Sequence, residues 1–179
     1  ESMEVGQKIG AIAAVAGHGL VAALKHGFVF IDWACHTVEF ISDPEAHLEN
    51  NRFNDGKCDP AGRFWAGTMD EVENKKHAGK LYALNNDLSV SVKIEGVSCS
   101  NGLAWSPDHR IFYYIDTPTR QVVAYDYQIE TGEISHKRVV IHIPPGEGIP
   151  DGMTTDAEGM LWVAHWNGWK VSSWDPFEG

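Results

Sequence analysis

The segment IPDGMTTDAEGMLWVA, residues 149–164, recurs in weaker form at two other places in the chain. The related segments are NDGKCDPAGRFWAG at 54–67 and NGLAWSPDHRIFYY at 101–114. Each begins with a polar residue, runs through a short strand-like stretch to a turn centred on Asp or Ser, and ends in an aromatic and β-branched stretch. This order of strand and turn residues predicts a β-hairpin in each segment.

The spacing of the three segments is as regular as their composition. The leading residue, Asn54, Asn101 or Asp151, stands five positions before the turn residue each time, and successive leading residues are 47 and 50 positions apart. Short strands repeating every ~40–50 residues are typical of a β-propeller, whose innermost strands line a central channel. We therefore expect Asn54, Asn101 and Asp151 to meet at one site on the axis.

The chain length bounds the number of blades. Residues 1–50 carry further strand-like pieces and predict one more blade, in which the inner position near Ala11 holds no polar group. At ~40–50 residues per blade, 179 residues supply roughly four blades. We expect an all-β fold in which residues 1–179 form a single incomplete propeller domain, because the chain starts without Met and stops where another hairpin should begin.

Composition argues against several classes of partner. The net charge is −11 with only 14 Lys and Arg, which disfavours a nucleic acid or an anionic membrane as partner. The most apolar window, residues 9–15, is too short to cross a bilayer. The three cysteines, Cys35, Cys58 and Cys99, have no paired spacing, which favours reduced thiols and a cytoplasmic location.

Two loops stand out between the strand-like segments. Residues 70–80 are charged without apolar periodicity, which predicts either a solvated connector or a lid over the channel mouth. Residues 143–150 contain three prolines, which predicts a loop that delivers Asp151, since proline removes a donor from a strand ladder.

The leading residues carry the candidate chemistry. Asp55-Gly56, Asn101-Gly102, Asp151-Gly152 and Asn167-Gly168 could each be a tight turn, because glycine supplies positive φ without steric cost. Three of these pairs fall in the repeat register, which favours a ligand site instead. Two amides and one carboxylate are hard oxygen donors, which suit Ca²⁺, Mg²⁺ or Mn²⁺, with Zn²⁺ also possible.

Other catalytic arrangements find little support. The nine histidines form no HExxH motif, and His165 is more typical of a structural strand histidine. The sequence has no Gly-x-Ser-x-Gly elbow, and a pairing of Cys58 or Cys99 with a distant histidine would be arbitrary.

Five ordered motifs together resemble one known family. They are NNRFNDGK at 50–57, AGTM at 66–69, SNGLAWS at 100–106, YYID at 113–116, and PDGM at 150–153 with LWVA at 161–164. In this order and spacing they look like the regucalcin (senescence marker protein), gluconolactonase and luciferin-regenerating enzyme family, over nearly the whole chain.

The resemblance implies a six-bladed propeller with one divalent metal ion on its axis. By position, Asn101 and Asp151 match two of the family's metal ligands, while Arg52 and Asn54 match residues that hold a sugar lactone. The remaining family ligand is a Glu in a Glu-Gly-Pro-like motif of the first blade, which this sequence lacks. The chain thus resembles an internal part of a family member, without the first strands and the last blades.

These features lead to the hypothesis of metal-dependent hydrolysis of a sugar-derived lactone. The metal would polarise the lactone carbonyl and lower the pKa of bound water, and Asp151 would be both metal ligand and general base. One alternative is a calcium-binding regulatory protein without turnover, and another is a luciferin-regenerating-type enzyme. A third is a bare interaction scaffold, in which the register of the polar residues is a coincidence.

Overall fold

A computed structural model describes residues 2–17, 19–72 and 75–178 of the chain. Over these residues the fold is all-β: the regular elements are strands and a single 3₁₀ turn at Thr117–Thr119, and none is an α-helix. The all-β class expected from the sequence is therefore confirmed. No helix in this described part is long and apolar enough to cross a membrane.

The strands form four successive antiparallel sheets, each built from neighbours in the sequence. The first sheet contains β1 (Ile9–Val15), β2 (Gly19–Leu24), β3 (Gly27–Asp32) and β4 (Thr37–Ser42). The second contains β5 (Asn51–Cys58), β6 (Phe64–Asp70), β7 (Gly79–Leu84) and β8 (Val90–Val97). The third contains β9 (Ser100–Trp105), β10 (Ile111–Asp116), β11 (Gln121–Gln128) and β12 (Glu133–His142). The fourth contains β13 (Ile149–Thr155), β14 (Leu161–Trp166) and β15 (Lys170–Trp174).

This meander order is the form of a propeller blade, and the four sheets match the roughly four blades expected from the length. The first strand of each sheet lies against the first strand of the next: β1 on β5, β5 on β9, and β9 on β13. These four inner strands are β1, β5, β9 and β13. They carry Ala11, Asn54, Asn101 and Asp151 at the positions that the repeat register predicts.

Apolar clusters fill the spaces between neighbouring sheets. The second and third sheets enclose an aromatic cluster in which the rings of Trp65 and Phe112 are 5.0 Å apart. A further cluster joins the first and second sheets around Phe53, and another joins the third and fourth around Ile115. Because the aromatic and β-branched stretches of the repeats supply these side chains, the sequence pattern and the core coincide.

The turn residue of each repeat organises its own hairpin. Asp59 accepts backbone N–H bonds from residues two and four positions on, Ala61 and Arg63, and its Oδ2 accepts one from Trp65 Nε1 at 3.0 Å. Asp156 repeats the pattern with Glu158, Met160 and the indole of Trp162. Ser106 caps the third turn through the N–H groups of Arg110 and Ile111. The five-residue register therefore reflects a repeated turn geometry.

Asp59 also fastens the second sheet to the third. Its fully buried carboxylate accepts bonds from Arg63 Nη1 at 3.0 Å and from Tyr127 OH at 2.7 Å. Arg63 in turn donates to the carbonyl of Ile129 in the third sheet. One carboxylate thus closes a turn and holds two sheets together.

The Gly-containing dipeptides do not share one role. Asp55-Gly56, Asn101-Gly102 and Asp151-Gly152 lie within inner strands, whereas Asn167-Gly168 forms the turn between β14 and β15. The proline-rich loop is also shorter than expected, because Ile149 and Pro150 already belong to β13. An inner strand is the edge of its own sheet and makes no ladder hydrogen bonds on its open side. Pro150 has no backbone N–H group, and on that side no ladder bond is lost.

The charged segment at 70–80 divides between strands and a connector. Asp70 ends β6 and Gly79 begins β7, while Glu73 and Asn74 lie outside the described residues. Asp70 Oδ2 accepts a bond from the backbone N–H of Lys75 at 2.8 Å, which fixes the return of the connector.

Replacing Asp59 with Asn should destabilise the protein by about 3 kcal/mol, because one oxygen acceptor becomes a donor and the buried Arg63 loses its counter-charge. Urea unfolding measures the change. The matched control is Asp156→Asn, which alters the equivalent turn of the fourth sheet, where the described residues supply no arginine and no inter-sheet partner, and should cost about 1 kcal/mol. Equal losses in the two variants would show that the link to the third sheet contributes nothing.

The outer face of the fourth sheet is apolar and exposed. Trp162, Trp166 and Val171 share this face and are 43%, 59% and 60% exposed. Exposed apolar sheet faces drive association. Residues 1–179 expressed alone should therefore form oligomers or aggregates in light scattering, and Trp162→Ser with Val171→Ser should reduce them. A monodisperse monomer at high micromolar concentration would contradict this expectation.

Candidate functional site

A cavity of about 440 Å³ lies where inner strands β5, β9 and β13 begin. Its lining combines polar side chains with apolar and sulfur-containing ones: Arg52, Asn54, Met69, Lys75, Lys76, Ser98, Cys99, Asn101, Thr117, Pro118, Ile149, Asp151 and Trp166. All four residues singled out in the sequence, Arg52, Asn54, Asn101 and Asp151, are among them. These four residues, up to 99 positions apart in sequence, thus share one concave site of the size that small molecules occupy.

Glycine makes the close approach of these strands possible. A Cβ on Gly102, whose φ is +23°, would lie 2.8 Å from the carbonyl oxygen of Asp151 and 3.0 Å from Met153 Cβ. Any larger residue would push β9 away from β13. The glycine that follows Asn101 therefore holds Asn101 next to the backbone of Asp151.

Arg52 and Asn54 form a connected pair at one side of the cavity. Arg52 Nη1 donates to Asn54 Oδ1 at 2.8 Å and to the carbonyl of Phe53 at 3.0 Å. Asn54 Nδ2 donates to the carbonyl of Ser100 at 2.8 Å. Both ends of the Asn54 amide are therefore engaged, whereas Nε and Nη2 of Arg52 bond to no residue in the described part of the chain.

Asn101 is held by Thr117. Asn101 Nδ2 donates to Thr117 Oγ1 at 2.8 Å, and Thr117 Oγ1 donates to the carbonyl of Pro150 at 2.9 Å. All three groups are buried, with Asn101 and Thr117 each 7% exposed. Because Nδ2 bonds to Thr117, Asn101 Oδ1 remains as an acceptor, with no partner among residues 2–17, 19–72 and 75–178.

The carboxylate of Asp151 lies in an environment that disfavours its charge. Burial raises the pKa of Asp151, against a backbone hydrogen bond at Gly152 that lowers it. Burial also raises the pKa of the neighbouring Asp55, and the charge of Asp151 adds to that rise while Lys57 opposes it. Burial thus favours the protonated form of both carboxyl groups over the charged form.

Asn101 Oδ1 and the Asp151 carboxylate both belong to residues of the cavity lining, and oxygen atoms of these two kinds are the ligands that hard divalent cations prefer. The described ranges contain no group of three or more His, Cys, Asp or Glu residues that could hold a metal ion. An amide oxygen and a single carboxylate would bind such a cation weakly, since ligand charge governs affinity. The residues present therefore fit a divalent ion, with few charged ligands.

Sequence reasoning missed Cys99 and Ile149 as lining residues, although a signal was available. Both stand two positions before a register residue, as Arg52 does, and all three line the cavity. Successive side chains alternate across a strand, so residues two apart share a face. The thiol of Cys99 lies 3.6 Å from Met69 Sδ and accepts bonds from Asn54 Nδ2 and Asn101 Nδ2 at 3.8 and 3.7 Å.

His165 lies outside the cavity lining. Its Nδ1 is 2.7 Å from the carbonyl of Glu147 and its Nε2 is 2.6 Å from Ser172 Oγ, and burial lowers its pKa. Both ring nitrogens are thus used to tie the proline-rich loop to β15, which is a structural role.

The chain also matches known proteins. The sequence profile of the SMP-30/Gluconolactonase/LRE-like region matches residues 1–179. Regucalcin from Homo sapiens is 43% identical over 175 residues, which cover 96% of this chain and 58% of regucalcin. The chain therefore spans somewhat more than half the length of this relative.

Two solved structures show the same fold. A luciferin-regenerating enzyme superposes with a TM-score of 0.91 at 35% identity, over 97% of this chain and 61% of that one. A regucalcin from Agrobacterium tumefaciens, described as a calcium-binding protein, superposes with a TM-score of 0.89 at 27% identity, over 95% of this chain and 57% of that one. The chain thus belongs to the SMP-30/gluconolactonase/LRE-like family.

Proposed function

We propose that the protein hydrolyses a sugar-derived lactone with the help of one divalent cation. The observation that carries this proposal is the cavity shared by Arg52, Asn54, Asn101 and Asp151, in a chain whose family is named in part for gluconolactonase. Asn101 and Asp151 would hold the cation, which is Ca²⁺, Zn²⁺, Mn²⁺ or Mg²⁺. When bound, the cation supplies Lewis acidity that polarises the lactone carbonyl.

Asp151 is the general base in this proposal. Its carboxylate takes a proton from the attacking water as the water oxygen bonds to the carbonyl carbon. The ring C–O bond then breaks, and the ring oxygen takes a proton to become a hydroxyl group. Water is consumed and the open hydroxy acid is the product. The burial that raises the pKa of Asp151 also strengthens it as a base.

Arg52 and Asn54 orient the substrate. The Nη1 atom of Arg52 is fixed on Asn54 Oδ1, so the planar guanidinium presents its other N–H groups in a set direction. These donors suit the hydroxyl and ring oxygens of a sugar. A prepositioned donor fork costs little entropy when substrate binds, which is how positioning lowers the barrier.

The same proposal defines the assembly in which the site operates. Residues 1–179 would be one incomplete domain of a six-bladed ring, and a carboxylate from an upstream Glu would complete the cation's ligands. The free thiols of Cys35 and Cys58 favour a reducing compartment, which we take to be the cytoplasm.

A second candidate function is calcium binding without turnover. It is favoured by the description of the Agrobacterium relative as a calcium-binding protein and by the oxygen-only donor set. An enzyme should hydrolyse lactone with several divalent ions, whereas a calcium sensor should change conformation with Ca²⁺ alone. A luciferin-regenerating-type activity has the support of the fold match at 35% identity and is tested with that substrate.

Asp151→Asn in the full-length protein should lower the lactonase kcat by about 10²–10⁴-fold, because an amide cannot act as the base. The assay is hydrolysis of D-glucono-δ-lactone with Mn²⁺ or Zn²⁺. Asp156→Asn, in the turn of the same hairpin, is the matched control and should keep kcat within about twofold. Activity of the Asp151 variant within threefold of wild type would remove Asp151 from catalysis and favour the calcium-binding function.

Thr117→Val should weaken divalent cation binding about tenfold, because it removes the hydroxyl that links Asn101 to Pro150 and one such bond contributes about 1 kcal/mol or more when buried. Thr117→Ser keeps the hydroxyl and should restore most of the affinity. Calorimetric titration with Mn²⁺ measures both. If the Thr117→Val and Thr117→Ser variants bind Mn²⁺ with equal affinity, the hydroxyl does not position Asn101.

A further inference from the structure

The rim of the cavity is positively charged, although the protein is acidic overall. Its lining includes three cationic side chains, Arg52, Lys75 and Lys76, against one carboxylate, that of Asp151. The whole chain has the opposite balance, with 25 Asp and Glu against 14 Lys and Arg. A local excess of cations in a concave site raises the local concentration of anions.

The two cavity lysines lack the partners that most other lysines have within the described part of the chain. Most of the others are engaged: Lys8 and Lys25 pair with Glu71, Lys80 with Glu95, Lys93 with Glu133, Lys170 with Glu147, and Lys57 donates to the carbonyl of Met153. The ammonium groups of Lys75 and Lys76 pair with no carboxylate of the described residues. Their charge is therefore available to a ligand.

Two acidic side chains near the cavity, those of Asp70 and Asp116, accept hydrogen bonds from the backbone. Asp70 Oδ2 accepts the backbone N–H of Lys75 at 2.8 Å, and this carboxylate is buried. Asp116 Oδ1 accepts the backbone N–H groups of Ser98 and Cys99, two residues of the cavity lining. Asp70 thus anchors the start of the lysine segment and Asp116 holds the cavity wall, and neither carboxylate bonds to a cavity ammonium.

The cations and the proposed reacting end of the cavity come from different sheets. Lys75 and Lys76 lie on the connector between β6 and β7 of the second sheet, while Asp151 lies on β13 of the fourth. The third sheet packs between the second and the fourth, and Asn101 of its strand β9 and Thr117 of the 3₁₀ turn after β10 also line the cavity. A sugar lactone whose carbonyl faces Asp151 would therefore direct its far substituents toward the lysines.

We propose that the substrate is a sugar lactone that carries an anionic substituent, a carboxylate or a phosphate, remote from the lactone carbonyl. This inference rests on the proposed function and specifies its substrate class. Lys75 and Lys76 bind the anion as flexible point charges, and Arg52 adds a planar donor fork. A neutral lactone leaves both ammonium groups in water and gains nothing from them.

The test compares lactones that differ in charge, using the full-length protein loaded with Mn²⁺. The substrates are neutral D-glucono-δ-lactone, its 6-phosphate, and D-glucaro-1,4-lactone, which carries a carboxylate. The wild-type kcat/KM should be about tenfold higher for at least one anionic lactone, and the advantage should shrink between low and high salt because exposed charges are screened. The faster anionic substrate identifies phosphate or carboxylate as the preferred group.

The variants separate this charge effect from other causes. Lys75→Ala combined with Lys76→Ala should reduce kcat/KM for the anionic lactone about tenfold, mostly through KM, and leave the neutral lactone within about twofold. Lys137→Ala removes an exposed, unpaired lysine of β12 outside the cavity lining and should change neither. Equal rates for neutral and anionic lactones, or an unchanged anionic rate in the double variant, overturns the inference.

Binding without turnover distinguishes the two proposals. If the wild-type protein hydrolyses none of the lactones, the proposed function fails, and titration with D-glucose 6-phosphate and D-glucose then tests the charged rim alone. Tighter binding of the phosphate that the double lysine variant abolishes supports the rim as an anion site. Equal affinity for the two sugars overturns it.

Discussion

The inner strands of neighbouring sheets approach each other closely, and glycine is what fits at their contact. At Gly102 the backbone of β9 lies directly against Asp151 of β13, and at Gly56 a Cβ would lie 3.1 Å from that of Ala11 on β1. Since each inner strand is the edge of its own sheet, no further strand lies between two neighbouring inner strands. The contact sets the distance between sheets, and it thereby creates one cavity from residues that are far apart in sequence.

Buried polar groups in this molecule fall into two classes that differ in how fully they are bonded. The Asp59 carboxylate accepts hydrogen bonds from the side chains of Arg63, Trp65 and Tyr127. The Glu45 carboxylate accepts hydrogen bonds from the side chains of Asn51, Thr68 and Tyr82, and these bonds fix the connector 43–50 to the second sheet. Carboxylates so fully bonded stabilise the fold. Among the described residues Asp151 has no such set of donors, and this supports the proposal that it binds a ligand.

The electrostatics of the cavity link stability to ligand binding. Because burial raises the pKa of Asp151 above its value in the unfolded chain, the native state binds more protons there. The stability from this group is therefore greatest at acid pH and is lost as the pH rises through the folded pKa. A cation beside the ionised carboxylate acts in the opposite direction. In the proposed function, the cation would offset the cost of ionising this buried carboxylate.

The sequence alone determined the all-β class, the four repeating units and the register of Asn54, Asn101 and Asp151, because turn residues and strand periodicity are local properties. The five-residue spacing follows from the turn that Asp59 and Asp156 each close with their own backbone and indole partners. Tertiary structure alone decided the rest of the site. Thr117, Lys75 and Lys76 come from connectors that reach the cavity only when the sheets are side by side, and no local pattern encodes that meeting. Likewise the raised pKa of Asp151 depends on what buries it, which is fixed by packing between sheets.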